Sequence, residues 1–253
     1  MNRITGGRLR TFNIVMAILH AVQGGLVLLL SRDFELSLTG SYLAFNTQSQ
    51  QLEPATAALF NISLPMLVAA FFFLSSFAHT FVATLYYKRY QEELKRGINR
   101  TRWIEYALSA STMMVAVALL VGVYDAPSLG MIFSLTAIMN LMGLAMEVHN
   151  QTTKKTSWLS YIIGCLAGIV PWLVVAFYMW LGADHGSKAP DFVYWIFVSI
   201  FIFFNCFAIN MFLQYKKIGP WHDYLYGERA YIVLSLVAKS LLAWQVFAGT
   251  LRP

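Results

Sequence analysis

The sequence predicts an all-α membrane protein: a bundle of seven transmembrane helices with its N-terminus in the cytoplasm and a small β-hairpin in the first extracellular loop. Three observations predict it. Hydrophobic residues make up 58% of the 253 and charged residues only 12%, with a mean hydropathy of +0.59. A soluble domain carries about 25% charged residues. Seven apolar stretches each approach the roughly 20 residues a helix needs to cross a bilayer core. Finally, the cations crowd into alternate loops.

The first stretch, 9–31, follows Arg3, Arg8 and Arg10. Basic residues before an apolar run also mark a signal peptide. Here the apolar part is about 20 residues long and lacks a small-x-small cleavage site, which predicts an uncleaved first helix. Residues 32–56 form the one long loop. Phe34, Leu36 and Leu38 alternate with polar residues, Thr39-Gly40 is a turn signal, and Tyr42-Leu43-Ala44-Phe45 follows. That pattern predicts a hairpin outside the bilayer. The remaining spans run over 57–87, 101–124, 128–150, 158–182, 191–215 and 229–250. The whole reads as one seven-helix membrane domain over 1–253, without internal repeats. Cys165 and Cys206 fall in different spans and read as small buried hydrophobes rather than a disulfide or metal pair.

Fourteen of the 18 Lys and Arg lie at the N-terminus, in the second, fourth and sixth loops, or beside them. Only Arg32, Lys188 and Arg252 lie on the other side, and Lys239 lies on neither. The positive-inside rule then puts the N-terminus in the cytoplasm and the C-terminus outside. The net charge of +6 is thus a topology signal, with membrane lipid rather than nucleic acid as the partner. The basic stretch from Lys88 to Arg102 contains Glu92 and Glu93. It fits ordinary flanking charge or a docking site for a cytoplasmic signalling partner.

Lys239 sits in the middle of the last span. A charge at the bilayer centre costs roughly 2.5–3.5 kcal/mol on insertion scales, so this lysine needs a partner or a covalent bond. Most of the 12 acids lie in loops or at span ends, and Glu105 is the one inside a span. It lies about 6 Å into the third span by helical rise. Two partners are open to it: Arg102 in its own helix, or Lys239 as a buried ion pair. Ser109 stands one turn from Glu105 and Ser235 one turn from Lys239, each on the same helical face. His20, Gln23, Ser75 and His79 add polar groups in the first two spans. Each alone fits a hydrogen-bonded core residue; together they suggest a polar cavity. His149, His185 and His222 sit at loop edges without metal-ligand spacing, so no metal site is expected. In the later spans Gly164, Gly168, Pro171 and Trp172 combine close packing, a kink and a large ring. Phe203-Phe204-Asn205 and Trp244 add aromatic walls.

These segments resemble the heliorhodopsin family, microbial-type retinal proteins of inverted topology. The matching motifs are Trp103-x-Glu105-Tyr106, Gly168-Ile169-Val170-Pro171-Trp172, Leu213-Gln214-Tyr215-Lys216 and the run from Gly227 to Ser240. The resemblance covers essentially the whole chain, and the seventh-span motif is the most specific. It implies a rhodopsin-like bundle with all-trans retinal on Lys239 as a protonated Schiff base and Glu105 as its counterion. Ser109 and Ser235 would be neighbours of the Schiff base. Tyr106, Met139, Gly143, Trp172, Phe204 and Trp244 would form the chromophore pocket, and His20, Gln23, Ser75 and His79 the polar cavity. Thr136 departs from the pattern, since members commonly carry Asn there. The resemblance further implies a light-absorbing photoreceptor with a slow photocycle, sensory rather than pumping, and a homodimer.

Missing acids argue the same way. An outward proton pump of the microbial type has an acid one turn before the lysine and usually a second acid three turns beyond the counterion. Those positions are Ser235 and Ala116 here. A light-gated channel or transporter on the same scaffold is the alternative, and a purely structural Lys239–Glu105 pair is a third. No nucleophile–base pair or phosphate-binding loop supports an enzyme.

Overall fold

The computed structural model describes residues 6–253; Arg3, counted above among the N-terminal charges, lies outside them. Seven long apolar helices cross the bundle: α1 (Gly6–Leu30), α2 (Leu64–Ala83), α4 (Arg100–Leu120), α5 (Ala126–His149), α6 (Leu159–Asp184), α7 (Asp191–Lys216) and α8 (Tyr224–Val246). Each is long and apolar enough to cross a membrane. A short helix α3 (Tyr87–Lys95) links α2 to α4, and strands β1 (Glu35–Asn46) and β2 (Gln51–Ser63) form an antiparallel hairpin between α1 and α2. We call the end holding α3 and the α5–α6 and α7–α8 connections the basic end, and the opposite one the hairpin end.

Polar caps fix where the helices begin. Ser63 accepts a hydrogen bond from the Met66 amide, with Pro65 in the first turn of α2. Asn99 caps α4 through the Arg102 amide, Asp125 caps α5 through Ser128, and Asp223 caps α8 through Leu225. Side chains of this kind satisfy amides that have no partner inside the helix.

The hairpin departs from the sequence reading. Its turn lies at 47–50, where Asn46 accepts from the Gln48 amide, and not at Thr39-Gly40. Thr39 instead lies within β1 at a register shift, and its amide donates to the Tyr124 carbonyl, docking the hairpin on the α4–α5 connection. The strand β2 also takes residues 57–63 from the expected second span, so α2 starts at Leu64.

The pillar of the bundle is α4, buried on nearly every side and packed against α2 and α5. Its second half, from Met113 to Leu120, is apolar all round, as a core helix is. Towards the hairpin end, Met113 to Leu119 of α4 join Phe71, Phe72, Leu129, Ile196 and Leu242 in one apolar cluster. At the other end α7 and α8 approach closely at Gly227, where a Cβ would come within 2.9 Å of the Gln214 side chain. Cys165 and Cys206 are free thiols. Neither is buried as expected: Cys165 is exposed and Cys206 half-buried.

Candidate functional site

α4 and α8 both start at the basic end, and the Glu105 and Lys239 side chains reach towards each other between them. Lys239 Nζ lies 3.3 Å from Glu105 Oε1, with both side chains at least nine-tenths buried. Of the two partners left open for Glu105, the structure selects Lys239. The lysine also donates to Ser235 Oγ at 2.7 Å, one helical turn away. Ser75 on α2 donates to Glu105 Oε1 at 2.5 Å, with the Phe71 carbonyl a second acceptor within reach of the same proton at 3.1 Å. One hydroxyl and one carboxylate thus meet the ammonium, and a second hydroxyl braces the carboxylate, so the buried charge is paired and hydrogen-bonded. The Tyr106 ring lies 5.3 Å from Nζ. Ser109 is fully buried, and its hydroxyl makes no protein hydrogen bond.

On one side of Nζ an apolar cavity of about 370 Å³ opens, lined by Tyr106, Met113, Met139, Phe204, Phe207 and Lys239. It shares Met139, Asn140, Phe204 and Phe207 with a second cavity of about 750 Å³ that continues between α5, α6 and α7 past Gly143 and Trp172. Together they make one path from the lysine towards the face of α6 and α7. Tyr106, Met139, Gly143, Trp172 and Phe204 all line it. The Trp172 ring meets Phe197, Phe201 and Phe204 edge-on at 5.3–5.6 Å. Small residues leave the room: a Cβ on Gly168 would overlap the Met139 sulfur, and one on Gly143 the Trp103 ring. Trp244 is placed elsewhere. Its indole donates to Gln23 on α1 at 3.1 Å, which ties the two residues to each other instead of to the cavity.

Towards the basic end the surroundings turn polar. The His20 and His79 rings stack at 5.5 Å, and His79 Nδ1 lies 2.7 Å from Asn13 Oδ1. Neither ring nitrogen of the buried His20 has a protein hydrogen-bond partner. A cavity of about 330 Å³ runs from Glu105 and His79 to Asn99, Arg102 and Glu228.

At its far end is an arrangement that sequence reasoning missed. Arg102 is buried and forms ion pairs with both Glu147 and Glu228, while Tyr224 donates to Glu147 at 3.1 Å. Asn99 donates through its amide nitrogen to Glu147 and through its side chain to Glu228. Glu93 is buried as well, against Tyr86 and Arg100. Glu105 is therefore one of four buried glutamates and not a lone exception. The available signal was an acid at the basic end of each of two spans, three turns before Lys239 in the case of Glu228.

Among the described residues no group of three His, Cys, Asp or Glu side chains could hold a metal ion. The fold matches the solved structure of the light-driven proton pump LR (Mac) from Leptosphaeria maculans, with a TM-score of 0.64 and 17% identity, over 98% of this chain and 97% of that one. At that identity the likeness speaks for the fold alone. No curated protein matches the chain. The heliorhodopsin family profile, in contrast, matches residues 9–251, from the first crossing helix to the last. This seven-helix membrane protein, with its buried lysine, apposed carboxylate and apolar slot, belongs to the heliorhodopsin family.

Proposed function

We propose that the protein is a retinal photoreceptor, sensory rather than pumping or enzymatic, with its basic end in the cytoplasm and its C-terminus outside. The observation that carries this reading is the Lys239–Glu105 pair, 3.3 Å apart and buried at the mouth of an apolar cavity. The residues fit the group: an amine for an aldehyde, a carboxylate to balance the charge, and an aromatic slot for a polyene. When bound, all-trans retinal on Lys239 as a protonated Schiff base supplies visible absorption and light-driven isomerisation.

The chain's own residues do the rest. Glu105 stabilises the positive charge at Nζ, and Ser75 fixes the carboxylate by donating to it. Ser235 accepts from Nζ, and Ser109 supplies a further hydroxyl one turn from Glu105. Met139, Phe204, Phe207 and Trp172 keep water from the slot.

The polar neighbourhood is one-sided, which supports a sensor over a pump. Towards the basic end a proton leaving Nζ meets Glu105, the His20–His79 pair and the polar cavity. Towards the hairpin end α4 offers Met113 to Leu119, and the buried Ser111, Thr112 and Thr136 hydroxyls are already committed to carbonyls of their own helices. A proton can leave and return on one side without a relay across the apolar half. The crowding of cations at the basic end supports its cytoplasmic placement. Exposed Tyr42, Leu43, Phe45 and Phe60 on the hairpin support a homodimer.

The test is illumination of retinal-loaded vesicles, with absorption and external pH recorded together. The expected result is a visible band that bleaches and slowly recovers while net pH stays constant. A sustained pH change or current would place the protein with the alternative reading, a light-gated channel or transporter.

A further inference from the structure

Three loops meet at the basic end around an open basin of about 1100 Å³. Its cations come from all three: Lys95 and Arg96 before α4, Lys154 between α5 and α6, and Lys217 after α7. No Asp or Glu lines it, and none of these four cations takes part in an ion pair among the described residues. Flanking charge that only sets topology has no need to ring a hollow. Like charges gathered without an acid repel, and an anion between them removes that repulsion. Lys217 holds its place at a cost, in the left-handed backbone region at φ 54° where glycine is usual.

The floor of this basin is the roof of the buried ion network. Tyr224 lines the basin while its hydroxyl donates to Glu147. Arg102, the partner of Glu147, sits one turn before Glu105 on α4, and Glu228 sits three turns before Lys239 on α8. Both helices that carry the Lys239–Glu105 pair therefore end in the network beneath the basin.

We propose that the basin binds a phosphate-bearing anion, and that its occupancy is linked to the state of the Lys239–Glu105 pair through Tyr224 and the Arg102 network. The linkage rests on the photoreceptor reading; the binding does not. A hollow with an indole wall at Trp221 and amide side chains between the cations suits a small phosphorylated molecule or a lipid headgroup. By reciprocity, an anion bound with different affinity in the lit and dark states shifts the balance between those states.

The probe is inorganic pyrophosphate, titrated calorimetrically into the full chain in nanodiscs of neutral phosphatidylcholine. Saturable binding is expected, weakened about tenfold or more in the double variant Lys154→Ala/Lys217→Ala. Both positions are exposed, and an unchanged thermal midpoint verifies that the variant is folded. Adding phosphatidylglycerol to the nanodiscs separates the two sources: competition with pyrophosphate identifies a headgroup, and undiminished binding a soluble ligand. No heat of binding in the wild type, or equal binding in the variant, overturns the site. Flash photolysis then reads the linkage. Pyrophosphate is expected to change the recovery rate of the visible band in the wild type only, and an unchanged rate at saturation overturns the linkage while leaving the site. Calorimetry does not depend on retinal, so failure of the photoreceptor reading is seen separately as the absence of a visible band.

Discussion

Lys239 Nζ lies 3.3 Å from Glu105 but only 2.7 Å from the Ser235 hydroxyl in its own helix. Glu105 in turn is held by Ser75 from a third helix. The pair is thus set by three helices, α2, α4 and α8. Glu105→Gln removes the charge and keeps the shape. With the anion gone, the cation at Nζ is less favoured, so the visible band is lost at lower pH. The expected change is on the order of one pH unit or more, read by titrating the absorption of wild type and variant, and it comes with a shift of the absorption maximum. An unchanged maximum and midpoint contradict the counterion assignment.

Arg102 is the cation shared by Glu147 and Glu228. Its replacement by Ala leaves two buried carboxylates without a cation, which costs on the order of 3–5 kcal/mol. Thermal loss of folded protein is expected well below the wild-type midpoint. Glu147→Gln, which keeps a hydrogen-bonding side chain, is expected to cost less. Equal midpoints for Arg102→Ala and wild type would show the network to be energetically idle.

The slot depends on Gly143, whose Cβ would enter the Trp103 ring. Gly143→Ala forces Trp103 or α5 to move, and overpacking of this kind costs about 1–3 kcal/mol. Because Trp103 lines the same path, a lower thermal midpoint and a displaced absorption maximum are expected together. A variant with wild-type values in both measurements would place the chromophore elsewhere.

At the hairpin end the amide and hydroxyl of Ser128 hold the Asp125 carboxyl below the usual carboxylate range. A carboxylate favoured in the folded state contributes stability above its ordinary pKa of about 4 and loses it as pH falls further. Asp125→Ala is expected to cost about 1 kcal/mol at neutral pH, and less in acid, where the wild type has lost the same contribution. A pH-independent difference in thermal midpoint would contradict this.

How much of this was legible depends on the range of the interaction. Lys239 stands out because a single residue breaks an apolar span, and Glu105 follows from the need for a partner. Periodicity placed Ser109 and Ser235 beside them. The hairpin was legible in kind and not in extent: residues 57–62 are as apolar as a span, and only Ser63-Leu64-Pro65 marks the true helix start. The Arg102 network was not legible, because its members are 45 and 126 residues apart and each looks like an ordinary charge at a membrane border. Trp244 also makes a contact the sequence does not show. The resemblance implied Trp244 in the chromophore wall; its indole donates to Gln23, 221 residues away.

The most direct test of the central claim is a pair of absorption spectra, wild type and Lys239→Ala, each expressed in membranes supplied with all-trans retinal. The account predicts a visible band in the wild type and none in the variant, with both proteins folded. A folded wild type without a visible band, or a variant that keeps one, would contradict it.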